Sequence, residues 1–261
     1  MSLFSAVNIS AGYGGKNIVQ NLSFSVEKGL LTGILGANGS GKTTLLKAIC
    51  SILPHSGECC LNGKRLENLS ARQLARCCSY IPQRSGISID ISALDVVLMG
   101  FNPWLGLLER PDSAMRFAAR QALEQVGLAG RENINYLHLS EGQKQLCILA
   151  RTLVADSQLL LLDEPESALD FRFRCQMLDI IRNRLRQGER CGIVTLHDSS
   201  LALNFCDELL LLSDGILIGS ICPRTDPLYK MEAMLKHIYG NISLLRCQNR
   251  SGQEQLVMLK E

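Results

Sequence analysis

Gly36-Ala37-Asn38-Gly39-Ser40-Gly41-Lys42-Thr43-Thr44 carries the spacing G-x-x-x-x-G-K-[ST] from Gly36 to Thr43. Glycines so placed let successive backbone N–H groups turn inward and form a concave anion site. Lys42 brings a cation to the β- and γ-phosphates of a nucleotide, and the Thr43 hydroxyl can hold Mg²⁺. A second reactive pair, Asp163 and Glu164, ends the apolar run Leu159-Leu160-Leu161-Leu162. Asp163 is placed to hold Mg²⁺, and Glu164 to polarise an attacking water, the base that phosphoryl transfer needs. His197 follows another apolar run, residues 191–196, and is a candidate contact to a γ-phosphate. Gln83 follows the run 77–81 and could reach a metal-bound water.

These residues need strands and helix ends to hold them. Residues 30–35 read as a buried strand entering the loop, and a helix from about Lys42 to Ile49 aims its positive end at the same phosphates. The unbroken run 159–162 implies burial on both faces, as in a parallel sheet, where ligands collect at the carboxyl ends of strands. Ser140 and Gln143 form an S-x-x-Q capping box. Leu146, Leu149, Ala150, Leu153 and Val154 then mark one apolar helix face, so the Ser140 end offers a second anion site. Earlier, residues 11–15 read as a turn, and Tyr13 within it fits two descriptions: a platform for an adenine ring, or packing on the sheet edge. Ser70, Ser92 and residues 111–112 read as starts of further helices. Residues 84–135 look like a helical insertion broken at Gly100-Phe101-Asn102-Pro103-Trp104-Leu105-Gly106. There Trp104 fits either a buried core or an exposed binding patch. After residue 214 the pattern gives a short strand, a helix near 231–239 and a hairpin over 242–259, with no chemistry attached.

Composition excludes several classes. The chain has 261 residues, 46% hydrophobic and 20% charged, ordinary for a globular protein with one or two domains. A net charge of +2 gives no basic face, so nucleic acid is not an expected partner. Eleven cysteines, an odd number, with no signal-like opening, point to buried thiols rather than a disulfide framework, and no C-x-x-C spacing suggests zinc. No apolar run approaches the length of a membrane span.

With these residues assembled, the chain resembles the ATP-binding subunits of ABC transporters over about residues 4–240. Tyr13 matches the adenine-stacking aromatic, Gly36 to Thr44 match Walker A, and Gln83 matches the Q-loop. Leu139-Ser140-Glu141-Gly142-Gln143 matches the signature, Asp163 and Glu164 match Walker B with its catalytic glutamate, Ser167-Ala168-Leu169-Asp170 match the D-loop, and His197 matches the switch histidine. Two positions depart: Glu141 stands where the signature usually has glycine, and Glu166 where threonine is commoner. Val96 to Gly106 looks like a stretch found in ATPases of iron-siderophore, haem and cobalamin importers, with Phe101 and Trp104 in place of the usual Arg and His.

The resemblance implies an α/β P-loop NTPase with a mostly parallel core sheet, an antiparallel β subdomain and a helical signature subdomain at about 84–157. Residues 1–240 would form the ATP-binding domain and 241–261 a short extension. It implies ATP and Mg²⁺, with Mg²⁺ near Thr43, Gln83 and Asp163. Nucleotide would be bound by Tyr13, Gly36, Asn38, Gly39, Ser40, Gly41, Lys42, Thr43, Thr44, Ser140, Gly142, Gln143 and Asp170, and Glu164, His197 and Gln83 would serve hydrolysis. Two copies would pair head to tail, each ATP lying between one copy's Walker A and the other's signature. The subunit would sit on the cytoplasmic face of the membrane against integral-membrane permeases, and indirectly serve an extracytoplasmic substrate-binding protein. Other readings are a soluble ABC ATPase without a permease, an exporter's ATPase, and a P-loop small-molecule kinase, which would need neither signature nor D-loop.

Overall fold

The structure, a computed structural model, describes residues 2–84 and 86–261. The chain opens as a long hairpin, β1 (Ser2–Tyr13) and β2 (Lys16–Glu27). The turn expected over residues 11–15 is confined to Gly14 and Gly15, because Ala11, Gly12 and Tyr13 still pair with Val19, Asn17 and Lys16. Gly12 is needed for a close approach rather than for turning: a Cβ there would lie 1.8 Å from the Lys16 carbonyl oxygen.

β3 (Leu31–Leu35) is wholly buried and runs through the glycine-rich loop into α1 (Lys42–Ile49). β4 (His55–Leu61) and the short β5 (Lys64–Arg65) follow. α2 (Ala71–Cys77), with Ser70 and Gln73 closing a full capping box, leads into β6 (Cys78–Ile81). Next come α3 (Ala93–Leu98), capped by Ser92, α4 (Ser113–Gln125), capped by Asp112, and α5 (Glu141–Ala155), capped by Ser140. The chain then alternates: β7 (Leu159–Asp163), α6 (Phe171–Arg186), β8 (Cys191–Thr195), α7 (Ser199–Phe205), β9 (Glu208–Ser213) and β10 (Ile216–Ile221). It ends with α8 (Leu228–Tyr239) and the hairpin β11 (Ile242–Gln248) and β12 (Glu254–Lys260).

Two main sheets result. One is antiparallel, in the order β2-β1-β4-β5; the other has the order β10-β9-β3-β8-β7-β6, parallel throughout except for the antiparallel edge strand β10. The period-two side-chain alternation explains the unbroken leucine runs. In β7, Leu160 and Leu162 join a core shared with the helices α3 to α8, while Leu159 and Leu161 join a second core with α1 and the antiparallel sheet. β9 divides its leucines the same way. The four thiols Cys50, Cys59, Cys78 and Cys191 lie buried in that second core, and burial pushes Cys59 and Cys191 up to about 12. All eleven cysteines are free.

The parallel order sets β3 between β9 and β8, with β7 next to β8, so the carboxyl ends of β3, β7 and β8 open side by side. Leu162→Ala tests how far the site leans on this sheet. Truncating that fully buried side chain should remove about 2–5 kcal/mol of stability, read as a lowered denaturant midpoint with little change in slope. A midpoint equal to wild type would contradict the two-sided burial of β7.

Candidate functional site

The loop between β3 and α1 is concave because of what its glycines avoid. Gly36 lies so close to the neighbouring backbone that a Cβ would meet the Leu212 carbonyl oxygen at 2.3 Å, and Gly41, at φ 104, opens α1 with no side-chain cap. The first N–H groups of α1 are therefore left to the loop. Lys42 is buried at 8% exposure, and its Nζ donates to the carbonyl oxygens of Gly36 at 2.8 Å and Ala37 at 3.2 Å. Burial lowers its pKa, while Glu164 and Asp163 act to raise it. Among the described residues Ser40 Oγ is buried without a hydrogen-bond partner. An uncapped helix start, a buried cation and an orphaned hydroxyl around one loop fit the oxygens of a phosphate chain.

Beside the loop Asp163, 2% exposed, ends β7. Its Oδ1 accepts from the hydroxyls of Thr43 and Thr195, each at 2.9 Å, and its Oδ2 accepts from the Tyr80 hydroxyl at 3.1 Å. Burial first, then the nearby Asp163, pushes the Tyr80 hydroxyl well above its usual pKa, so it stays a donor. The hard oxygens of Thr43 and Asp163 suit Mg²⁺ rather than a softer metal. Glu164 sits at φ 46, a strained conformation for a non-glycine residue. Its N–H is held by Thr195, through the carbonyl oxygen at 3.1 Å and Oγ1 at 2.9 Å. Gln83 Nε2 donates to Glu164 Oε2 at 2.7 Å.

A cleft of about 510 Å³ lies over this arrangement. Tyr13, Asn38, Gly39, Gly41, Lys42, Thr43, Thr44, Gln83, Glu164 and His197 line it, together with Ile18. Tyr13 lines the cleft at 52% exposure, so part of its ring is open to whatever the cleft holds. Of the remaining sequence candidates, Gly36 and Ser40 form the loop and Asp163 the floor. Ser140, Gly142, Gln143 and Asp170 do not line the cleft. Ser140 and Gln143 complete the capping box of α5, and Asp170 Oδ1 accepts from the Phe173 N–H to cap α6. Gly142 packs the start of α5 on the turn before α6, where a Cβ would sit 3.1 Å from the Ala168 carbonyl oxygen. Glu141 is exposed and ion-paired with Lys144 at 2.7 Å, at a helix end that favours its charge. A separate cavity of about 790 Å³, between α6, α7 and the C-terminal hairpin, shares no residue with the cleft.

Tyr80 and Thr195 have no role in the sequence reading, yet both hold Asp163. The traces were there: Tyr80 lies three residues before Gln83, and Thr195 is the polar residue that closes an apolar strand. What was missing was the register, which sets Asp163 directly opposite Thr195.

A profile of the ABC transporter family matches residues 19–167. The hemin import ATP-binding protein HmuV of Bordetella pertussis (strain Tohama I) is 36% identical over 244 residues, covering 90% of this chain and 91% of that protein. A probable iron chelatin transport ATP-binding protein of Helicobacter pylori (strain ATCC 700392) is 36% identical over 209 residues, covering 79% of this chain and 82% of that protein. Among solved structures, a chain of an inward-facing ABC transporter described as metal-chelate type superposes with a TM-score of 0.82 at 24% identity, covering 100% of this chain and 99% of that one. The ATP-binding cassette MJ0796 in a post-hydrolysis state bound to ADP and Pi gives 0.76 at 22% identity, over 85% of this chain and 100% of that one. At such identities these two speak to the fold.

The hydroxyl network gives a test that needs no ligand. Tyr80→Phe removes one of three donors to a buried carboxylate and should lower stability by about 1–3 kcal/mol in a urea titration. An unchanged midpoint would mean that Asp163 does not depend on Tyr80.

Proposed function

This chain belongs to the ABC transporter family of ATP-binding subunits, and on that premise we propose that it binds Mg-ATP, hydrolyses it between two copies of itself, and powers an importer of an iron-siderophore, haem or cobalamin. The observation that carries the reading is the bond from Thr43 to Asp163, which ties the phosphate loop to the strand end bearing Glu164. In this reading residues 1–240 are the ATP-binding domain, residues about 84–157 its helical subdomain, and residues 241–261 an extension.

Lys42 leaves its two loop carbonyls and neutralises the β- and γ-phosphates, while the N–H groups opening α1 bind their oxygens. Thr43 and Asp163, with Gln83 beside them, would hold Mg²⁺, which neutralises charge on the phosphates. Glu164 accepts the proton of the attacking water, and Gln83, already bonded to it, orients its carboxylate. His197 faces the same cleft and takes the γ-phosphate contact, and Tyr13 stacks on the adenine. Ser140, Gly142, Gln143 and Asp170, absent from their own cleft, serve the cleft of a second copy. The start of α5 is exposed at Ser140 and Glu141, where a second copy can reach it.

The importer assignment draws on the names of the relatives and on residues 96–106. Among the described residues no helix is long and apolar enough to cross a membrane. Trp104 is 48% exposed, and Leu107 and Leu108 are 100% and 93% exposed. The segment is fastened from below: Arg72 and Arg76 both donate to the Pro103 carbonyl oxygen, and the Arg76 guanidinium lies 4.7 Å from the Trp104 ring centre. A fixed apolar patch of this kind fits a cytoplasmic helix of the permease.

Two substitutions separate the parts of this reading. Glu164→Gln should keep ATP binding and lower turnover by about 10²- to 10⁴-fold, measured by equilibrium nucleotide binding and phosphate release. Wild-type turnover would remove Glu164 as the base. Trp104→Ala should leave ATPase activity and thermal midpoint of the isolated subunit intact and weaken its association with permease-containing membranes by about 2 kcal/mol or more. Loss of stability with transport lost only in proportion would instead make Trp104 a packing residue.

A further inference from the structure

Glu166 is 1% exposed, an uncommon burial for a carboxylate. Its Oε1 accepts the backbone N–H of His197 at 3.0 Å, and its Oε2 is buried with no hydrogen-bond partner among the described residues. Burial is the largest influence on it and raises its pKa; Glu164 raises it further, while the N–H bonds and Arg174 act the other way. A half-satisfied buried carboxyl is destabilising, and a purely structural position would be served better by an apolar or hydroxyl side chain.

Its place in the fold suggests what the cost supports. β7 and β8 pair up to Asp163 opposite Thr195, and the Glu164 N–H continues the contact to Thr195. Beyond that point the strands part: the chain after Glu164 turns back, with Ser167 N–H on the Glu164 carbonyl and Leu169 N–H on the Glu166 carbonyl. The Glu166 side chain reaches across this gap and supplies the next acceptor, to the first polar residue of the loop that leaves β8. A threonine side chain is two carbons shorter and would fall short of that N–H.

We infer that Glu166 is a positioning residue: it holds the His197 backbone, and so presents the imidazole at the cleft rim beside Glu164. The same bond ties His197 to the turn that leads to Asp170, so the part facing a second copy and the part facing the γ-phosphate move as one unit. The role at the phosphate rests on the proposed ATP hydrolysis; the contact to His197 does not.

The test uses the full chain carrying Glu166→Ala, Glu166→Thr or Glu166→Gln. Alanine and threonine should lower kcat about 10-fold or more with KM for Mg-ATP within about twofold, as expected when a reacting group is misplaced but binding is kept. Glutamine keeps the acceptor and should restore kcat to within about threefold of wild type. Amide hydrogen exchange at His197 reads the contact without turnover: it should speed about 10-fold in the alanine and threonine variants and stay slow in the glutamine variant. Wild-type kcat in the alanine or threonine variant, or equal losses in the glutamine and alanine variants, would overturn the inference. If alanine does not fold, the threonine–glutamine pair decides. If wild type itself hydrolyses no ATP, the proposed function fails, and unchanged His197 exchange across the variants would separately refute the contact.

Discussion

A buried carboxylate that accepts from three neutral hydroxyls organises this molecule. Asp163 collects Thr43 from α1, Tyr80 from β6 and Thr195 from β8, so four separate elements converge on one charged group. A carboxyl group at 2% exposure is unfavourable unless its oxygens are bonded, so the three contacts stabilise the fold as well as shape the site. The phosphate loop, the strand end and Glu164 thereby acquire a fixed mutual position before any ligand arrives, the preorganisation on which phosphoryl transfer depends.

The double-sided sheet lets this happen at depth. Because β3, β7, β8 and β9 are covered on both faces, their carboxyl ends are rigid, and the loops leaving them carry the reactive side chains. The strain at Glu164, with φ 46, is held by Thr195 on the adjacent strand. The residues of α5 and the turn before α6 pack on one another, away from the cleft, so that half of the proposed site is a preformed unit offered outward. Arg72 and Arg76 do the same service for the apolar segment around Trp104.

Much of this is legible in the sequence because it is local. The glycine spacing of 36–41, the capping boxes at Ser70 and Ser140 and the unbroken leucines before Asp163 each express a constraint within a few residues. What escaped depends on pairings across the chain. Tyr80 and Thr195 matter only through the strand order β8-β7-β6 and its register. The extra length of β1 past Ala11 follows from partners in β2, which no turn pattern encodes. Glu141 is visible as an unusual residue, but its neutralisation by Lys144 depends on the helix that joins them. Trp104 could be read as core or as surface until α2 was seen beneath it.

In the proposed function, ATP gripped by Lys42 and the loop of one copy brings a second copy into place. The mass of the Glu164→Gln chain in solution, measured by sedimentation with and without Mg-ATP, tests this most directly. The expected result is a dimer with Mg-ATP, a single copy without it, and a single copy in both conditions when Lys42→Ala is added. A chain whose mass ignores nucleotide, or a dimer that survives Lys42→Ala, would contradict it.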